Sequence, residues 1–194
     1  MAGERDEGGE ELVQHYRILS FRENPLVPCR GVIAQLDKPI GAIIPVLFIS
    51  NIGRATYLSQ ENVLTLRIEG RLVTFYPDGR ITLNRAWTEE AARRVLSQVV
   101  EMVNEAYREL LAHGPPTEED IRRALSLSWR DIYSLLPGSN CGLCGQRTCL
   151  SLALAVLRGE ARLSDCPALS ELEPEAVEHA REVLGPRIAR ALGL

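Results

Sequence analysis

The chain has 194 residues, of which 45% are apolar and 25% are charged, and this composition is typical of a globular protein rather than a disordered one. Its formal net charge of −4 excludes a general electrostatic attraction to nucleic acid or to an anionic membrane surface. The longest apolar run, residues 40–50, is interrupted by Pro45 and is far shorter than the roughly 20 residues that a membrane-spanning helix needs.

The first predicted segment is a charged leader at residues 1–11, MAGERDEGGEE, which we expect to be disordered. This segment lacks the basic and apolar regions of a secretory signal. We therefore predict a soluble, cytoplasmic protein that has no membrane insertion and no nucleic-acid partner.

Strands are predicted after the leader. Apolar and polar residues alternate, as they do in half-buried strands, in four short segments: residues 15–21, 63–68, 71–76 and 80–84. Pro77, Asp78 and Gly79 predict a hairpin turn between the last two segments, and Gly70 predicts a tight turn before them. Together these signals indicate an antiparallel meander, whereas residues 50–57, SNIGRATY, are interpreted as a plain loop.

A long amphipathic helix is predicted over residues 86–114. Thr88 is a favourable N-cap, and the acidic Glu89 and Glu90 occupy the first turn, where they interact favourably with the helix dipole. The apolar face of the helix is expected to pack on the inner face of the sheet. Gly114, followed by two prolines, ends the helix and marks the predicted domain boundary.

The predicted fold class is α+β. An N-terminal domain at residues 12–113 combines an antiparallel sheet with the long helix, and a small, mostly helical domain follows at residues 117–194. The order of elements in residues 30–112 resembles one half of a TATA-box-binding-protein-like domain, a resemblance of topology that implies no function. We expect the N-terminal domain to recognise a partner or an unknown ligand.

The second domain is predicted to contain three helical regions. One helix covers residues 116–136 and has Thr117 as its cap. A short helix at about residues 148–158 lies inside the cysteine-containing segment. The amphipathic stretch at residues 173–191 breaks at Gly185, which a proline follows.

Four of the five cysteines lie in this domain with the spacing C-x2-C-x4-C-x16-C: Cys141, Cys144, Cys149 and Cys166. A disulfide pair is disfavoured in a reducing cytoplasm, where cysteine clusters more often bind metals. Zinc sites usually combine two cysteine knuckles or include histidine. Only Cys141 and Cys144 form a knuckle here, and no histidine lies in the segment, so zinc stays open as the weaker alternative.

A cubane [4Fe-4S] cluster fits this spacing better, because its iron corners point in different directions and accept ligands from one uneven loop plus a distant cysteine. Gly142 and Gly145 allow the loop to curl around an inorganic core and to turn backbone N–H groups toward sulfur. The helix that Cys149 opens directs its positive N-terminal end toward an anionic cluster. Pro167 fixes the path of the chain after Cys166.

The cysteine segment, LPGSNCGLCGQRTCLSLALAVLRGEARLSDCP, resembles the small [4Fe-4S] domain of the corrinoid iron–sulfur protein large subunit. Similar domains occur in the B subunit of Rnf-type ferredoxin–NAD oxidoreductases. The shared features include Asn140 before the first ligand, the CGxCG start, Gly159 and the closing Cys166–Pro167. The resemblance implies that one low-potential [4Fe-4S] cluster is ligated by four residues: Cys141, Cys144, Cys149 and Cys166. Arg147 departs from the family pattern, and an inward-pointing Arg147 should raise the reduction potential.

The whole chain resembles small predicted iron–sulfur proteins of anaerobic prokaryotes, and this resemblance implies a role in anaerobic metabolism. The fifth thiol, Cys29, is interpreted as inert, because Arg30 is the only basic residue beside it. The sequence has no nucleotide-binding loop, catalytic triad or zinc-protease motif, so no catalytic residue is predicted.

The first functional hypothesis is an iron–sulfur protein that binds one [4Fe-4S] cluster and acts in electron transfer or as a redox accessory to a partner enzyme, rather than as an enzyme itself. A thiolate-ligated cluster makes an acidic chain more acidic, so we expect a redox partner protein with a complementary positive patch. Two alternatives stay open. One is a cluster-dependent enzyme subunit with a substrate pocket in the N-terminal domain, lined by Arg54, Asn84 or Arg85; the other is a structural metal-binding interaction module.

Overall fold

A computed structural model of the protein describes residues 11–23, 30–86, 88–169 and 174–194. Within these ranges the chain forms six strands and seven helices, which is the predicted α+β class. The strands are β1 (Tyr16–Glu23), β2 (Arg30–Leu36), β3 (Ala55–Leu58), β4 (Val63–Ile68), β5 (Arg71–Phe75) and β6 (Arg80–Ala86). The helices are α1 (Ile44–Ser50), α2 (Glu89–His113), α3 (Glu118–Ser126), α4 (Trp129–Ser134), α5 (Cys149–Leu157), α6 (Pro174–Leu184) and α7 (Pro186–Ala191). Residues 1–10 of the predicted leader, and Cys29, lie outside the described residues.

The six strands form one sheet in the order β1-β2-β6-β5-β4-β3. Strands β4, β5 and β6 are antiparallel neighbours and form the predicted meander, with turns at Gly70 and Gly79. Strand β2 pairs with the distant β6 in an antiparallel register that places Ala34 opposite Ile81. Neither β2 nor β3 was predicted from the sequence.

One face of the sheet carries the core that α2 covers. Alternate side chains are buried along four strands: Val32, Ala34, Leu36, Leu64, Leu66, Val73, Phe75, Ile81 and Leu83. The apolar face of α2 buries Ala92, Val95, Leu96, Val99 and Val103, and the helix packs against β6. The prediction that the long helix packs on the sheet is therefore confirmed.

Both ends of α2 lie where their signals predicted. The Thr88 hydroxyl accepts a hydrogen bond from the Ala91 N–H at 3.1 Å, which satisfies one of the free donors of the first turn. At the other end Gly114 adopts a positive φ of 71°, and its N–H donates to the Leu110 carbonyl at 2.8 Å. Local capping chemistry thus determines the length of this helix.

Asn104 ties the segment before β1 to α2. It is one of the few buried polar residues of the described chain, and its side-chain oxygen accepts from the N–H groups of Leu12 at 3.1 Å and Val13 at 2.9 Å. Its amide nitrogen donates to the Val13 carbonyl at 2.8 Å. The three backbone partners of this buried carboxamide compensate for most of its loss of water.

The helix predicted over residues 116–136 is two helices in the structure, α3 and α4. Thr117 caps α3 as predicted, through a bond from the Asp120 N–H at 3.1 Å. The chain becomes extended at Leu127 and Ser128, and Ser128 with Asp131 begins α4 as a new capping box. Sequence periodicity did not reveal this break, because a serine is tolerated in the middle of a helical pattern.

The described chain divides into two compact units. The first contains the described residues up to Leu47 together with Tyr57–Pro115, and the second contains Phe48–Thr56 together with Pro116–Leu194. The predicted domain limits, 12–113 and 117–194, stay a prediction about folding. No helix among the described residues is both long and apolar enough to cross a bilayer.

The short segment Phe48–Thr56 is joined to the second unit by a close contact. A Cβ atom placed on Gly53, whose φ is 82°, would lie 1.9 Å from the carbonyl oxygen of Leu157 at the end of α5. A second close contact involves Gly159. A Cβ atom placed on Gly159 would lie about 3.1 Å from the guanidinium of Arg54. The interpretation of residues 50–57 as a plain loop is therefore wrong in part: Ser50 ends α1, Ala55–Leu58 form β3, and Gly53 packs on the helix that begins at Cys149.

Candidate metal centre

The loop from the end of α4 to the start of α5 has an unusual backbone. Positive φ angles occur at four of its residues: Gly138 (69°), Asn140 (51°), Gly142 (76°) and Gly145 (79°). Ser139 and Cys141 lie between the first three of these residues and do not have positive φ angles. Alternation of this kind turns successive N–H groups toward one side and forms the concave arrangement that binds anions and iron–sulfur clusters in many proteins.

Cys141 lies within this arrangement and is exposed to solvent. The backbone N–H of Leu143 and the hydroxyl of Ser139 both bond to its sulfur, and they lower the pKa of the Cys141 thiol from its usual value. Such donors favour the thiolate, which is the form that binds a metal. No sequence pattern singled out Ser139.

Cys144 is half-buried and lies in the turn that follows. The N–H of Gly145 donates to the carbonyl of Gly142 at 3.0 Å and closes this turn. A Cβ atom on Gly145 would meet nothing within 4 Å, so the loop borders open space on this side. The two glycines therefore have the roles in loop curvature that were predicted for them.

Cys149 is the first residue of α5, and only 6% of it is exposed. The Thr148 hydroxyl caps the helix by accepting from the Ser151 N–H at 3.0 Å. The predicted short helix at residues 148–158 is thus confirmed. The side-chain oxygen of Asn140 accepts from the N–H of Cys149 itself at 2.9 Å, a contact that sequence reasoning missed.

Cys166 is reached through a short 3₁₀ turn, Leu163–Asp165, and only 4% of it is exposed. Its N–H donates to the Leu163 carbonyl at 3.1 Å, and Pro167 begins a second 3₁₀ turn directly after it. This geometry agrees with the predicted role of Pro167 in fixing the path of the chain.

The four thiols form one electrostatic group. Burial is the main cause that raises the pKa of the Cys166 thiol, and an N–H bond from Ala168 opposes it. The charges of Cys144, Cys149 and Cys141 each raise the pKa of Cys166 further, because like charges oppose its ionisation. Each of the other three cysteines thus contributes to the raised pKa of Cys166, and all four are free thiols.

The group has an exposed side and a buried side. Cys149 and Cys166 are buried, whereas Cys141 is exposed and its neighbour Leu143 is 75% exposed. Arg147 is also exposed. Within the described ranges, no three His, Cys, Asp or Glu side chains converge closely enough to hold a single metal ion.

The residues suggested for a substrate pocket in the N-terminal domain do not all belong to the first unit. A hollow of about 450 Å³ on the sheet has Asn84 in its wall beside threonines such as Thr74 and Thr82, and none of the described residues that line it is titratable. Arg54 belongs to the second unit, where it packs against Gly159.

The comparison with protein families identifies the class of this segment. Residues 136–168 match the family described as "Putative Fe-S cluster". The segment is therefore of the iron–sulfur, metal-binding class, and the resemblance predicted from its cysteine spacing is confirmed.

Three curated relatives are each similar to a part of the chain. The acetyl-CoA decarbonylase/synthase complex subunit gamma of Methanopyrus kandleri is 42% identical over 62 residues, which are 32% of this chain and 13% of that protein. The corrinoid/iron-sulfur protein large subunit of Moorella thermoacetica is 38% identical over 68 residues, 35% of this chain and 15% of that protein. The acetyl-CoA decarbonylase/synthase complex subunit gamma of Methanothermobacter thermautotrophicus is 41% identical over 49 residues, which are 25% of this chain and 11% of that protein.

The aligned regions thus span at most about a seventh of these relatives. No solved structure matches the chain significantly. The half-domain resemblance to the TATA-box-binding protein therefore stays a prediction.

Proposed function

We propose that Cys141, Cys144, Cys149 and Cys166 ligate one [4Fe-4S] cluster and that the protein works in electron transfer, as a carrier or as a redox accessory of a partner enzyme. The observation that carries this proposal is the match of residues 136–168, which contain all four cysteines, to an iron–sulfur family. Within this segment Cys149 and Cys166 are buried, and the loop of Cys141 and Cys144 has repeated positive φ angles.

The donor set fits such a cluster. A cubane separates its four iron corners by several ångströms, so its ligands surround a volume and do not meet at one point. The loop supplies Cys141 and Cys144 beside open space at Gly145. The start of α5 and the 3₁₀ turn supply Cys149 and Cys166 from the protein interior.

The chain's own groups suit a redox role. When bound, a [4Fe-4S] cluster supplies a one-electron couple, and ligation of every iron by cysteine leaves no iron open to a substrate. The N–H groups of the loop and the N-terminal end of α5 counteract the negative charge of the thiolates. Burial of Cys149 and Cys166 excludes water from one side of the site.

A protein partner is part of this proposal. Two of the relatives are named as subunits of a complex, which supports a partner protein for this chain as well. The acidic net charge favours a partner with a positive patch. We further propose a cytoplasmic location, since a reducing compartment keeps the four thiols available for metal.

The test is metal analysis of anaerobically prepared protein and of cysteine variants. We expect about four iron and four sulfide per chain with a reversible low potential. Cys149→Ser or Cys166→Ala should remove most of the iron and destabilise the second unit, because the metal contributes folding energy there. Cys29→Ser, the matched control, should leave the iron content unchanged.

Two outcomes would contradict the proposal. A colourless protein with one zinc per chain would favour the structural metal-binding module. Loss of iron in the Cys29→Ser variant would show that the ligand assignment is wrong.

A further inference from the structure

Asn140 is one of the features shared with the resembled family, and in the structure it makes a contact that the ligand set does not explain. It precedes Cys141, adopts a positive φ of 51°, and accepts a hydrogen bond from the Cys149 N–H at 2.9 Å. The bond joins two points nine residues apart in the chain, one beside the first ligand and the other at the third.

Both properties of Asn140 depend on its side chain. Left-handed backbone costs about 1–2 kcal/mol for most residues, but asparagine adopts it readily, as glycine does. Glycine, however, has no acceptor for the Cys149 N–H. That N–H belongs to the first turn of α5, where backbone donors have no partner inside the helix.

The hydrogen bond also removes a donor from the site. An N–H that points at a thiolate or sulfide stabilises the reduced, more negative state and raises the reduction potential. The Thr148 hydroxyl accepts from the Ser151 N–H, and Asn140 accepts from the Cys149 N–H, so these two donors of the first turn are not available to sulfur.

We propose that Asn140 is a positioning residue of the cluster site. It holds the loop of Cys141 at a fixed distance from Cys149, and by occupying the Cys149 N–H it keeps the reduction potential low. This inference rests on the proposed cluster function and adds to it the residue that tunes the potential.

Three substitutions separate the two roles. Asn140→Gly keeps the backbone conformation and removes the acceptor, so the Cys149 N–H becomes free to donate to sulfur and the potential should shift upward. Asn140→Asp keeps the conformation and the acceptor but adds a negative charge, so the potential should shift downward. Asn140→Ala removes the acceptor and strains the backbone, so iron should be lost several-fold faster to a chelator than from the wild type.

The matched control is Asn62, which has a similar positive φ of 52° and donates to the Gly41 carbonyl at 2.8 Å in the first unit. Asn62→Gly and Asn62→Asp should leave the potential and the rate of iron loss at wild-type values. The measurements are a redox titration followed by electron paramagnetic resonance and the kinetics of iron chelation.

Shifts of the same sign for Asn140→Gly and Asn140→Asp, or wild-type potentials in both, would overturn the role of Asn140. A wild-type protein without a four-iron cluster would instead overturn the proposed function. In that case the midpoint of thermal unfolding still depends on the Asn140–Cys149 hydrogen bond. The midpoint should then be higher for Asn140→Asp than for Asn140→Gly. Equal midpoints would then reject the positioning role as well.

Discussion

Single short polar side chains determine where the helices around the metal centre begin. Asp131 accepts from the Ser128 N–H at 2.7 Å and from the Ser128 hydroxyl at 2.6 Å, and these bonds lower the pKa of the Asp131 carboxyl from its usual value. Helix α4 leads directly into the cysteine loop, so the quality of this cap affects the start of that loop.

The first residue-scale prediction is the effect of Asp131→Asn. At neutral pH it should destabilise the protein by about 0.5–1 kcal/mol, a value at the low end for caps because the carboxylate is exposed. A folded-state pKa below the unfolded value, about 3.9, means that the carboxylate stabilises the protein above that pH. The stabilisation is lost as pH falls through the folded-state pKa.

Denaturant unfolding of wild type and Asp131→Asn at several pH values between 7 and 3 checks this prediction. The difference in unfolding free energy should be largest at neutral pH and should narrow below about pH 4. If the difference in unfolding free energy stays constant across this pH range, the charge of Asp131 does not contribute to the cap.

At this scale, sequence patterns predicted the residues that form hydrogen bonds with near neighbours in the chain. They missed the residues whose hydrogen-bond partners are distant in the chain. Thr88 and Thr117 were predicted as caps, and each accepts from an N–H three residues later, a spacing that a sequence pattern reveals. Asn140 and Asn104 bond across nine and about ninety residues. No local pattern indicates that such atoms will meet.

At the scale of elements, the short helix α5 depends on a segment that was predicted as a plain loop. The carbonyl of Leu157, at the end of α5, lies against the backbone at Gly53, where no Cβ atom fits. The signal was a single glycine in SNIGRATY, and a sequence alone does not distinguish a glycine in a turn from one required by close contact.

Gly53→Ala tests this contact. It adds both left-handed strain and a clash at 1.9 Å, so it should destabilise the second unit by about 3 kcal/mol or more and reduce iron retention. Gly70→Ala is the control, because Gly70 has a similar φ of 76° and open space around it. It should cost only about 1–2 kcal/mol and leave the iron content unchanged. Equal effects of the two substitutions on thermal unfolding would contradict the importance of the Leu157 contact.

Strand β2 shows another limit of predicting elements from the sequence. Its buried residues Val32, Ala34 and Leu36 alternate correctly, but Ile33 lies on the opposite face and hides the pattern. The strands that were predicted, β4 and β5, have polar residues such as Thr65 and Thr74 at the positions between buried ones. Binary alternation identifies a strand only where both faces follow it.

At the scale of the whole molecule, long-range pairing determines what the sequence could not predict. Local turns determine the β4-β5-β6 meander, whereas the pairing of β2 with β6 joins distant parts of the chain. Length and composition are compatible with either one or two domains. The two compact units, and the membership of Phe48–Thr56 in the second, appear only in the three-dimensional contacts.

Removal of iron is the last prediction and concerns the two units. Because ligand binding contributes folding energy to the unit that holds the ligands, iron chelation should loosen the second unit selectively. Amide hydrogen exchange, measured before and after anaerobic chelation, should accelerate in Pro116–Leu194 and also in Phe48–Thr56, which belongs to the same unit. Residues 57–115 should keep their protection.

The Cys149→Ser variant provides the control for chelation, since it should already exchange rapidly in the second unit and should change little when the chelator is added. Unchanged protection at Phe48–Thr56 after iron loss would separate this segment from the metal centre. Equal acceleration in strands β4, β5 and β6 would instead show that the metal stabilises the whole chain as one cooperative body, because a local loss of binding energy then spreads to residues that hold no ligand.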